Sequence, residues 1–189
     1  MVPYFVLFRK IIIFVLYNRF IMKTSKAIAR KGINSDLYFY PPIISIGVAQ
    51  SISMNDRPKI SGSKDLYDCI IRSYTDEVLY CQEQFWALYL NRANKIIGAK
   101  MTSMGNRCGT VVDPVDILRP AINLPGCQGI ALSHNHPSGG LEPSSADIKI
   151  TEQVKKAAEM FNLTLLDHII VHPDRDKGLY YSFADEGRL

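Results

Sequence analysis

The sequence predicts one α/β domain with strands and helices in an α+β order, and three observations carry that expectation. The chain has 189 residues, 47% of them hydrophobic and 21% charged, which are ordinary values for a single globular domain with a full core. From about residue 60 onward, short runs with the two-residue period of strands interleave with runs of helical period. Between residues 36 and 64, Pro41, Pro42, Pro58 and Gly62 break the chain into short apolar pieces, so the folded unit is placed after them. Disordered, collagenous and disulfide-stapled classes are excluded, and two large domains do not fit the length.

The elements follow in order. Residues 2–21 are strongly apolar, but Arg9 and Lys10 split them into two runs, each too short to span a bilayer. Three readings stay open: an extension outside the folded unit with Met22 as the true start, a membrane-surface helix, or a core helix. Residues 22–60 form an irregular lead-in, and 61–189 the domain. Ser63 stands as N-cap before the apolar-periodic run 65–74, a predicted helix. Residues 85–90 read as a strand, and 95–103 as its antiparallel partner across Asn91–Asn94. Asp113 followed by Pro114 opens a helix through Asn123. Residues 128–133 form a short strand, 144–161 the longest helix, 163–171 the clearest strand and 179–183 a last one.

Charge is unevenly spread. Residues 1–35 hold seven basic residues and no acid, whereas the other 154 hold 15 basic against 18 acidic. The body of the protein is therefore mildly acidic, which gives no electrostatic case for a nucleic-acid-binding core. Cys69, Cys81, Cys108 and Cys127 form no CxxC pair, so the sequence predicts free thiols in a reducing, cytoplasmic setting.

The chemistry concentrates in Ser133–Asp147, S-H-N-H-P-S-G-G-L-E-P-S-S-A-D. His134 and His136 stand two apart at a strand end, so their imidazoles leave the same face. Pro137, Gly139 and Gly140 turn the chain, with Asn135 and Ser138 read as serving that turn. Ser144 is a good N-cap and Asp147 its neighbour one helical turn on. If the loop folds back, two imidazoles and a carboxylate converge as three ligands of a catalytic zinc, with the fourth position left for water. Taken singly, an HxH pair is more often two half-buried histidines, and S-S-A-D is more often a capping box. The two readings are compatible, because a capped helix can still offer Asp147 to a metal. His168 and His172 are read as packing groups or as supports behind the ligands.

The order His134-x-His136-x(7)-Ser144-x(2)-Asp147 resembles the metal motif of the JAB/MPN (JAMM) metalloprotease-like fold. The words around it resemble one branch, the RadC family, historically called DNA repair proteins. They are EQFWALYLNRANKIIG (83–98), VVDPVDILRPAI (111–122), GIALSHNHPSGGLEPSSADIKIT (129–151) and LLDHIIVHPD with LYYSFADEG (165–187). The resemblance runs from about residue 60 to the C-terminus. It implies a mixed sheet flanked by helices, layered as in cytidine deaminases. It also implies Zn2+ held by His134, His136 and Asp147, with Ser144 hydrogen-bonded to the tetrahedral intermediate. The family's general acid/base glutamate matches Glu83 here; spacing alone does not choose it over Glu77 or Glu142. The helix-hairpin-helix segment usual before this domain is not recognisable in residues 1–60.

Three functions are weighed. The first is a zinc-dependent hydrolase cutting a peptide or isopeptide amide, with a peptide or protein as substrate and no membrane partner. The second is a DNA repair or recombination accessory protein, which predicts salt-sensitive DNA binding that the acidic body disfavours. The third is a non-catalytic zinc-binding interaction module, which the loss of Glu83 or Asp147 would have supported. A (β/α)8 barrel needs about 250 residues and is excluded. Oligomeric state is not legible in the sequence.

Overall fold

The computed structural model describes residues 53–105 and 112–189. The expected 1–21 extension and all but the end of the 22–60 lead-in lie outside the described residues. Among the described residues nine α-helices and β-strands follow one another: α1 (Ser63–Ile70), α2 (Asp76–Cys81), β1 (Gln84–Asn91), β2 (Ile96–Met104), α3 (Pro114–Asn123), β3 (Cys127–Asn135), α4 (Ser145–Glu159), β4 (Thr164–Val171) and β5 (Tyr180–Ser182). The strands form one five-stranded sheet in the order β2-β1-β3-β4-β5. Only the β3/β4 pair is parallel, joined through α4; the other three pairs are antiparallel. The expected mixed sheet flanked by helices is what the chain forms. Among the described residues no helix is long and apolar enough to cross a membrane.

Strand periodicity sorts the core into two layers. Phe85, Ala87 and Tyr89 of β1 and Ile130 and Leu132 of β3 face α3 and α4, packing on Ile117, Ala121, Val154 and Ala158. Leu88, Leu90, Ala131, Ile169 and Val171 face the other way, against Leu66, Tyr67, Ile70 and Leu79 of α1 and α2. Because alternate residues share a face, His134, in step with Ile130 and Leu132, falls on the α4 side. His168, out of step with Ile169 and Val171, falls on the same side.

Local signals account for most boundaries. Asp113 caps α3, its side chain accepting from Val115 N at 2.9 Å, and Pro114 occupies the first turn. Pro120 inside α3 brings no N–H to the Asp116 carbonyl, and Lys100 Nζ donates to that oxygen at 3.3 Å. The β1–β2 turn is organised by Asn91 Oδ1, which accepts from Ala93 N at 2.9 Å and Lys95 N at 3.0 Å. The tail of the lead-in extends this hairpin: Ile60 N donates to Asn94 O at 2.9 Å and Ile96 N to Pro58 O at 3.0 Å.

Three expectations need correction. Ser63 is the first helical residue and Gly62 the N-cap, without a side-chain capping bond. The Ser63 hydroxyl is drawn instead to the C-terminal segment, donating to Asp185 Oδ2 at 2.5 Å. The α-helix ends at Ile70, and Ile71–Ser73 tightens into a 3-10 turn before Tyr74 becomes extended. Helix α2 was not expected at all, although Thr75 accepts from Val78 N at 3.3 Å in a regular N-cap.

Candidate metal centre

Strand β3 runs two residues further than its apolar core predicts, so His134 is the penultimate strand residue and wholly buried. His136 follows just beyond the strand and is half-buried. Pro137 and Ser138 form the turn, closed by Gly139 N donating to His136 O at 2.9 Å. Gly139 sits at φ +81° with the His172 ring directly below, so both backbone and space favour glycine. The chain then comes back to Ser144, the N-cap of α4. A reciprocal capping box closes there: Asp147 N donates to Ser144 Oγ at 3.2 Å, and Ser144 N to Asp147 Oδ2 at 2.7 Å. Ser144 as a residue remains exposed.

These local devices bring His134, His136 and Asp147 together, with one ligand atom from each within 4.8 Å of the others. His134 Nε2 lies 3.0 Å from His136 Nε2 and 3.2 Å from Asp147 Oδ1, and His136 Nε2 lies 3.5 Å from Asp147 Oδ2. Ligand atoms about 2.0–2.1 Å from a tetrahedral zinc stand roughly 3.3 Å apart; the two His134 contacts lie near that edge, whereas His136 meets the other carboxylate oxygen, Oδ2. His136 Nδ1 meets Gly140 O at 2.7 Å, and a carbonyl only accepts, so that nitrogen carries its proton and Nε2 turns inward. The donor set fits a zinc-type cation.

Electrostatics agree with that geometry. Burial pushes the Asp147 carboxyl up, but its contacts with His134, His136 and Ser144 together hold it well below the usual carboxylate range. His136 is raised above the ordinary histidine value, chiefly by its bond to Asp147, against the opposing effect of burial. His168 is driven well below that value, first by burial and then by the neighbouring His134.

Glu83 precedes β1 in phase with Phe85, which puts it on the α4 side of the sheet. It is half-buried, and its carboxylate favours the protonated form of His136 through space. Glu83 and Asp147 both line a cleft of about 220 Å³, together with Phe85, Lys149 and Gln153. Glu77 and Glu142 are exposed and do not line this cleft.

Sequence reasoning missed what holds Glu83. Asn135 does not serve the turn. Its Oδ1 accepts from Gln84 N at 2.8 Å, while Nδ2 reaches the carbonyls of Val78, Leu79 and Gln82 at 3.3, 3.3 and 2.9 Å. The residues on both sides of Glu83 are thus tied to the end of β3, and Glu83 O accepts from Gly105 N at 2.7 Å. Also missed was Thr151, one turn beyond Asp147 on α4. Its Oγ lies 2.5 Å from Asp147 O and 2.6 Å from His168 Nδ1, and His168 Nε2 lies 2.8 Å from His134 Nδ1. The i, i+4 spacing of Asp147 and Thr151 was a usable signal; the β3/β4 register that delivers His168 was not. His172 Nδ1 accepts from Asp174 N at 2.9 Å and stands under the 136–140 turn, outside the ligand cluster.

A family model described as the RadC-like JAB domain matches residues 60–188. Curated relatives named UPF0758 protein include one from Flavobacterium johnsoniae, 36% identical over 173 residues, covering 88% of this chain and 70% of that protein. One from Porphyromonas gingivalis is 40% identical over 139 residues, covering 74% of this chain and 58% of that protein. One from Aquifex aeolicus is 39% identical over 108 residues, covering 57% and 45% respectively. The chain thus spans 70% of the first and little more than half of the second, and the shared name states no activity.

Proposed function

The chain belongs to the RadC-like JAB domain family, and from that premise we propose that it is a zinc-dependent hydrolase of peptide or isopeptide amide bonds. The observation that carries the reading is the converging donor set, His134, His136 and Asp147, with Glu83 beside Asp147 on the wall of one cleft. When bound, zinc supplies a Lewis acid and lowers the pKa of a water towards about 7. The chain's residues do the rest. His134, His136 and Asp147 hold the metal; the capping box fixes the Asp147 carboxylate, and the Gly140 carbonyl fixes the His136 ring. Glu83 takes a proton from the attacking water and returns it to the leaving amine nitrogen. Ser144, whose Oγ accepts from Asp147 N, keeps its own proton for the oxygen that gains charge in the tetrahedral transition state. The start of α4 adds a partial positive charge beside that oxygen.

The retained acid, serine and full ligand set support a hydrolase over a zinc-binding interaction module. The acidic body of the chain gives DNA binding no comparable support. Elemental analysis of the purified chain beside the double variant His134→Ala/His136→Ala tests the metal. We expect about one zinc per wild-type chain and none in the variant; folded wild type without zinc overturns the site. A screen of peptide and isopeptide substrates then tests the reaction, and no turnover by the zinc-loaded chain overturns the hydrolase.

A further inference from the structure

We propose that Thr151 and His168 form a positioning relay that holds His134 as its Nδ1–H tautomer, leaving Nε2 bare toward the metal. The argument is a proton count along one line of buried contacts. It starts at the backbone carbonyl of Asp147, which can only accept, 2.5 Å from Thr151 Oγ. The hydroxyl has one proton and spends it there. Thr151 Oγ therefore accepts at its other contact, 2.6 Å away, and His168 Nδ1 carries a proton. The His168 ring is wholly enclosed, stacked on Phe183 with centroids 4.9 Å apart and planes 8° apart, and tilted against Phe85 at 5.2 Å. A ring so enclosed is neutral and holds only that one proton. His168 Nε2 is thus bare and accepts from His134 Nδ1–H at 2.8 Å. His134, stacked on Phe85 at 5.5 Å, thereby turns Nε2 toward His136 and Asp147.

The line closes on itself: the carbonyl of the third ligand sets the tautomer of the first. His136 reaches the same Nε2-inward state through one carbonyl of its own turn. The buried ligand reaches it through a helix hydroxyl and a second imidazole instead. Outer partners of this kind are worth about 10–100-fold in metal affinity. The link to affinity rests on the metal reading above; the tautomer itself does not.

The test uses the full chain. Long-range 1H–15N spectra of the metal-free wild type read the His134 tautomer directly, and Nδ1–H is expected. A His134 found as Nε2–H overturns the relay without reference to any variant. Zinc affinity, measured by chelator competition, should fall about 10–100-fold in Thr151→Val, with His134 losing its single tautomer, and Thr151→Ser should restore both. Thr151→Val that keeps wild-type tautomer and affinity overturns the proposal. A wild type that binds no zinc defeats the metal reading, while its spectrum still decides the relay.

Discussion

The entrance to α4 and the entrance to β1 both deliver a carboxylate to the same cleft, but they are built by opposite means. At α4, Asp147 is fixed by Ser144, three residues away, through two hydrogen bonds that would form in an isolated helix. At β1, Glu83 is fixed by nothing nearby on its own strand. Asn135, which grips Gln84 N and three carbonyls before it, comes from 51 to 57 positions further along the chain. The carboxylate of the metal-holding half is thus set by a local motif, whereas that of the proton-handling half is placed only once the sheet has closed. Damage to packing should therefore disable Glu83 before it disables the metal.

The sharpest way to separate the halves is Glu83→Gln, which leaves the backbone bonds in place and removes only basicity. Turnover should fall by about 10²–10⁴-fold, the range of a general acid/base contribution, with zinc content and thermal midpoint unchanged. An active Glu83→Gln enzyme would remove the proton-shuttle role. Loss of zinc in that variant would mean the two halves are not separable.

Asn135→Ala attacks the non-local half at its support. It leaves buried Gln84 N without its acceptor, and each buried group orphaned in this way costs about 1–3 kcal/mol. A lower thermal midpoint is expected, and turnover should drop further than zinc affinity does, because Asn135 holds the flanks of Glu83 and no ligand. Equal losses in both, measured on the same preparation, would contradict the division.

The local half should answer to pH instead. His136 sits above the ordinary histidine value because of its bond to Asp147, and zinc must displace a proton from its Nε2. Below that raised value affinity should change by about tenfold per pH unit, since one proton is exchanged, and above it the curve should level off. The slope should therefore persist above pH 6.5, the unperturbed histidine value, because the group is raised. Affinity that is flat from pH 5.5 to 7.5 would show that His136 does not titrate against the metal.

The same contrast explains what the sequence disclosed. Asp113–Pro114, the Ser144–Asp147 box and the alternation in β1, β3 and β4 are signals written within a few residues, and they placed the elements within two or three positions. Ser63 misled because a free hydroxyl beside a helix start looks like a cap, whereas Asp185, 122 positions away, claimed it. Asn135 looked like a turn residue because it stands next to Pro137, and only the β1/β3 pairing reveals what its amide meets. Preferring Glu83 over Glu77 and Glu142 needed the phase of β1, which puts Glu83 and Phe85 on the face that looks toward α4.

The smallest expected effect tests whether Ser144 does more than cap. Replacing an N-cap serine by alanine costs about 0.5–2 kcal/mol, but replacing it by glycine costs only a few tenths, because glycine leaves the helix N–H groups open to water. Ser144 is exposed, so Ser144→Gly should barely move the thermal midpoint. Asp147 keeps its bond from the backbone N–H of residue 144, which glycine also has, so zinc should stay bound. If the hydroxyl donates to the developing oxyanion, turnover falls all the same, and the loss sits in kcat because the bond strengthens only as charge appears. Ser144→Gly with unchanged kcat would return the serine to the capping box alone.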